Sequence, residues 1–265
     1  MIAALFVCFF LSGAAALVYE VVWMRMLTHI FGSTAYAVAT VLAAFMAGLA
    51  LGSYVFGRLS ERKKNLLRLY GLLELGIGVY GFCAPFLFYR ARGIYAPLFW
   101  LYELSPLAFN LVLFALAFLL LAIPTFLMGA TLPVLSQVFV RNQRHLGQRI
   151  GDLYATNTLG AVVGCALAGY FLIPSVGLSG TVYTAAAGNI AIAALILAVG
   201  ARFTAASGSA ATAAAEPAAQ GRSGIEWLLL GSIALSGAAA MIYENAWTHA
   251  LTLVIGGSVY SFTTM

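Results

Sequence analysis

The chain has 265 residues, of which 63% are hydrophobic and only 8% charged, with a mean hydropathy of +0.99. A soluble domain carries about 25% charge, so there is too little polar surface here to cover a water-soluble globule, and the chain reads as an all-α polytopic membrane protein. The net charge of +5 does not mark a nucleic-acid partner, because the basic residues sit in short loops between apolar runs and form no soluble basic face.

A helix that crosses a bilayer needs about 20 apolar residues. Such spans fall at roughly 2–28, 33–57, 67–89, 106–140, 152–174, 179–200 and 226–251, and an eighth starts near 257. The first lacks the basic start and small-residue exit of a signal peptide. The fourth is long and holds Pro124 and Pro133, which predicts a kink. Residues 91–104, between spans three and four, read as an interfacial aromatic belt or a short in-plane helix. Residues 203–225, rich in alanine, serine and glycine, read as a flexible linker. The expected division is a six-span unit at 1–202, the linker, and the start of a second unit at 226–265.

Ten of the 13 basic residues fall on one side of these spans, among them Arg58, Arg62, Lys63, Lys64, Arg68, Arg141, Arg144 and Arg149. Arg25, Arg90 and Arg92 fall on the other. The positive-inside rule then puts the N-terminus in the cytoplasm, and the expected location is a bacterial cytoplasmic (inner) membrane. The bilayer is the first partner, with some contact to anionic lipid.

Residues 12–41 and 236–265 align without gaps at 13 of 30 identities, including Tyr19/Tyr243, Glu20/Glu244, Trp23/Trp247 and Gly32/Gly256. Six spans separate the copies, so both run the same way, as in the parallel halves of major-facilitator transporters. The second copy ends after about one and a half spans. Missing C-terminal spans or a partner membrane subunit are expected to complete it.

Charges inside a bilayer are costly and default to functional roles. Glu20 and Glu244 read either as proton- or cation-coupling carboxylates or as structural ones bonded to a neighbouring helix. Trp23 shares the Glu20 face at i+3. Arg25 lies about 140° round the helix from Glu20, which argues against a pair within the helix and for a role at the outer interface. Glu74 faces either a polar cavity or a partner on span five, Asn157 or Asp152. Asp152 otherwise reads as an N-terminal helix stabiliser. Small residues at spacing four, Ala44-Gly48-Gly52 and Gly160-Gly164-Ala168, predict close helix packing. Gly76-x-Gly78-x-x-Gly81 matches a dinucleotide fingerprint but sits inside an apolar span, where packing is the expected role. Cys8, Cys83 and Cys165 read as packing residues. No metal-ligand spacing, nucleophile elbow or phosphate loop appears, so no metal, cofactor or catalytic residue is expected.

Leu11-Ser12-Gly13, Tyr19-Glu20-x-x-Trp23-x-Arg25, Phe31-Gly32-Ser33-Thr34 and Ala43 to Gly52 together resemble the membrane region of the spermidine-synthase-like membrane proteins. These are described as fused major-facilitator/spermidine-synthase proteins. Gly129-Ala130-Thr131-Leu132-Pro133 and Tyr154 to Ala161 add to the likeness. The resemblance implies a major-facilitator-like six-span half, followed in the family by a soluble aminopropyltransferase-like domain that these 265 residues do not contain. Gly57 to Lys64 resembles the loop after span two of major facilitators, with Arg62 among its latch residues. Three functions follow as expectations: a transporter-like module, an accessory subunit docked in a larger complex, or the membrane anchor of an aminopropyltransferase-like enzyme.

Overall fold

The computed structural model describes residues 2–31, 35–61, 63, 65–140, 146–206 and 224–255. Among them it is all-helical, without strands. The helices are α1 (Ile2–Phe31), α2 (Ala35–Glu61), α3 (Leu66–Leu104), α4 (Pro106–Val140), α5 (Leu146–Leu167), α6 (Ile173–Ala206) and α7 (Gly224–Ile255), with a π-helical turn over Ala168–Leu172 between α5 and α6. Among the described residues, six helical stretches are long and apolar enough to cross a membrane. The fifth, Gly147–Gly200, contains both α5 and α6.

Pairings between helices give their directions. Along α1, Phe10 meets Gly160 and Ala14 meets Gly164 of α5, so these two run parallel. Along α3, Gly71 meets Leu197 and Gly78 meets Ile190 of α6, so these run antiparallel. Ser12 of α1 reaches Glu74 of α3 and Tyr19 lies against Gly81, which makes α1 and α3 parallel. The chain therefore reverses between α5 and α6. Gly177 marks the break, at φ 72°, a conformation that residues with a Cβ rarely adopt. Pro174 lies just before it and cannot donate to the backbone. The preceding turn widens, and the Ile173 N–H bonds to Ala168 O, five residues back.

Two crossings have the same construction. In the first, a Cβ on Gly13 would lie 2.2 Å from the Asn157 carbonyl oxygen, and one on Gly160 would lie 2.0 Å from that of Phe10. In the second, Gly129 of α4 meets the Leu49 oxygen at 2.1 Å, and Gly52 of α2 meets that of Phe126 at 1.9 Å. On all four helices the glycine and the contacted carbonyl stand three residues apart. Any side chain at these glycines would collide with backbone, so the small-residue stripes pack inside the bundle, as their spacing predicts. Gly48 and Gly164 extend the two seams against Thr125 and Ala14.

Several sequence expectations are revised. Residues 91–104 do not form a separate in-plane helix: α3 continues through Pro97 to Leu104. Span five begins earlier, at Leu146. Asp152 thus lies in the second turn of α5, exposed, and does not cap the helix. Cys8 is buried, but Cys83 is exposed on α3 and does not pack. Most of the linker, the eighth span and Arg62 lie outside the described residues. Pro124 removes the amide that would bond the Leu120 carbonyl, and the Tyr80 hydroxyl of α3 donates to that oxygen. A buried carbonyl in a bilayer needs such a partner.

Candidate functional site

Glu74 is fully buried, about two turns into α3. Its carboxylate accepts two bonds of 2.6 Å each, from the Ser12 hydroxyl of α1 and from the Asn189 amide of α6. Asn189 in turn accepts from the Tyr19 hydroxyl at 3.1 Å. Three helices are thereby tied by one polar chain, Tyr19–Asn189–Glu74–Ser12. Hydrogen bonds to an ionised group contribute about 1.5–3 kcal/mol each, which explains how the bundle tolerates a carboxylate at this depth. Glu74 bonds neither Asn157 nor Asp152. The Tyr70 hydroxyl is also buried near Glu74 but makes no hydrogen bond of normal geometry.

In front of this chain lies a cavity of about 190 Å³. All six helices α1–α6 contribute to its wall, including Ser12, Glu20, Thr131, Asn157 and Asn189. Glu20 is 6% exposed and, in contrast to Glu74, has no hydrogen-bond or ion-pair partner among the described residues. Glu244 of α7 stands close enough for the two carboxylates to repel. The hydroxyls in the wall are committed elsewhere, Ser12 to Glu74 and Thr131 to the Met128 carbonyl, while Asn189 and Asn157 each give one of two amide protons, to Glu74 and to the Phe9 carbonyl. The remaining wall is apolar.

The structure thus brings Glu20 and Asn157 together in one cavity wall and sets Glu74 behind it as the group that holds Ser12 and Asn189. Trp23 is elsewhere. Its ring is fully buried, stacked on Tyr19 at 4.7 Å and set edge-on to Tyr80 and Phe88 at 5.9 and 6.0 Å. Arg25 is half-buried further along α1, outside the cavity wall. Glu244 is half-buried on α7. Arg58, at the end of α2, lies over the Tyr54 ring at 4.3 Å. The sequence reading missed Asn189, Ser12, Tyr19 and Thr131. Asn189 carried a usable signal, as a strongly polar residue inside an apolar span. The hydroxyls carried none, because serine, threonine and tyrosine are common in such spans.

Comparison with known proteins gives three relatives. Polyamine aminopropyltransferase 2 of Streptomyces coelicolor is 28% identical over 200 residues, 74% of this chain and 33% of the relative. Polyamine aminopropyltransferase 2 of Ralstonia nicotianae is 25% identical over 191 residues, 72% of this chain and 34% of the relative. Polyamine aminopropyltransferase 1 of the same organism is 25% identical over 191 residues, with 72% and 33% covered. The chain spans about a third of the length of the curated relatives it matches. No family model and no solved structure matches it.

Proposed function

We propose that the chain is the membrane module of an aminopropyltransferase-like protein, built as a transporter-like bundle that takes a small solute into its central cavity. The alignment carries the first part: nearly three quarters of this helical chain aligns with aminopropyltransferases, over only a third of their length. In this reading aminopropyl transfer is the work of residues outside these 265. The cavity walled by α1–α6 supports the second part. The matched crossings support a major-facilitator-like half, because α1 with α5 and α4 with α2 are related as inverted three-helix repeats would be. The basic loops orient the N-terminus to the cytoplasm, in a bacterial inner membrane.

A second reading rests on α7. This helix is exposed along nearly its whole length, and its few contacts fall on α2 around Met241 and Asn245. It offers a face on which further spans or a partner membrane subunit dock, as an accessory subunit would need. The natively expressed protein tests both, by the intact mass of its denatured subunit and an aminopropyl-transfer assay. A mass well above 28.0 kDa with transfer activity supports the module reading. A 28.0 kDa subunit without transfer overturns it and favours the accessory one.

A further inference from the structure

We propose that the central cavity binds a small organic ammonium ion, with Glu20 as its anionic contact and the apolar wall as the seat of its hydrocarbon. This rests on the solute-binding part of the reading above and names the class of solute.

Three observations carry it. First, Glu20 lines the cavity, is more than nine-tenths buried and has no partner among the described residues. A carboxyl in an apolar bundle either holds its proton or, when ionised, needs a compensating partner, and Glu74 shows what this chain builds when that partner is internal. Around Glu20 nothing equivalent is built. No basic side chain lies in the described cavity wall, and the nearby charge, Glu244, is of the same sign. Second, the hydroxyl protons of Ser12, Thr131 and Tyr19 all point to internal acceptors. The Glu20 carboxylate is left as the strongest free group, so the complementary ligand is a cationic donor. Third, the rest of the wall is apolar, including Phe45, Met46, Ile77 and Met128. Hard divalent ions take six or more oxygen ligands, and no cluster of three metal-ligating side chains occurs among the described residues. An alkylammonium needs one anion and a few acceptors at its head and hydrocarbon contact along its tail, which this wall supplies. About 190 Å³ is the room of about six water molecules, enough for a short-chain amine and too small for a drug-sized ligand.

The test is equilibrium binding of labelled n-butylammonium to the purified full chain in detergent. Saturable binding of one equivalent is expected, with an affinity loss of about tenfold or more in Glu20→Gln and retention in Glu20→Asp. Glu226→Gln, on the exposed start of α7, should bind as wild type. If Glu20→Gln does not fold, carbodiimide modification of wild-type Glu20 decides. Its rate, read by peptide mass, should fall when n-butylammonium is present. Equal binding of n-butanol by wild type and Glu20→Gln would overturn the cationic assignment and leave a solute cavity. Displacement of the amine by millimolar sodium or potassium would also overturn it, in favour of an inorganic ion. No binding and no protection would overturn the inference itself, while the mass and transfer assays judge the module reading separately.

Discussion

The segment Ser-Gly-Ala-Ala-Ala-x-x-Tyr-Glu-x-x-Trp occurs twice, in α1 and in α7, and its two surroundings are opposite. In α1, Tyr19 and Trp23 are fully buried beneath α3 and α6, Ser12 bonds Glu74, and Gly13 touches α5 backbone. In α7, Tyr243 and Trp247 are 65% and 58% exposed, Ser236 is exposed, and nothing lies within 4 Å of a Cβ on Gly237. The residues are the same and the physical roles differ. The motif specifies a helix face that can be covered by glycine-rich neighbours; whether it becomes core depends on the helices that come to lie on it. Apolar residues facing lipid lose nothing by staying uncovered, since lipid tails are as apolar as leucine. Only packing and polar partners distinguish the two copies.

Thermal unfolding of the full chain in detergent can break this comparison. The largest contrast is expected at the tryptophans. Trp23→Ala should cost about 3–5 kcal/mol, as large-to-small changes in packed cores do, and Trp247→Ala under about 0.5 kcal/mol. Equal losses would mean that α7 is covered by another part of the assembly. Next come the glycines. Gly13→Ala drives a methyl into the Asn157 carbonyl and should cost about 1–3 kcal/mol. Gly237→Ala meets open space and should be neutral or stabilising by up to about 1 kcal/mol, from helix propensity. Ser12→Ala removes a donor from a buried carboxylate, for a loss of about 1–3 kcal/mol, whereas Ser236→Ala should stay within about 0.5 kcal/mol. The smallest contrast is Tyr19→Phe, which deletes the bond to Asn189 for about 0.5–1.5 kcal/mol, against no measurable change for Tyr243→Phe. Repeating the series in native membranes sharpens the comparison, since a docked partner would raise only the α7 values.

Much of the bundle was legible beforehand because a bilayer constrains sequence strongly: spans must be long, apolar and helical. Spans one, two, four and seven agree with the helices to within a few residues. Spans three, five and six did not: α3 runs on past its expected end, α5 starts earlier, and α6 extends beyond both expected limits. Tyrosine and tryptophan between 91 and 104 signal an interface equally well as a separate segment or as the end of a longer helix, and α3 takes the second course. The prolines inside span four were readable; the cover that Tyr80 gives the Leu120 carbonyl was not, because the two lie on different helices. Of the intramembrane carboxylates, sequence marked Glu20 and Glu74 as equals. The structure separates them, one satisfied by Ser12 and Asn189, the other open to a cavity.

From sequence alone, then, came the membrane solvent, the rough limits of most described helices, the glycine seams and the short roll of polar residues inside them. These depend on composition and on the 3.6-residue period, which one helix carries by itself. Only the tertiary structure decided which carboxylate has partners, which copy of the Tyr-Glu-x-x-Trp segment is core, and where a cavity remains. Those outcomes depend on contacts between residues as far apart as Tyr19 and Asn189, and no periodicity within a single helix encodes them.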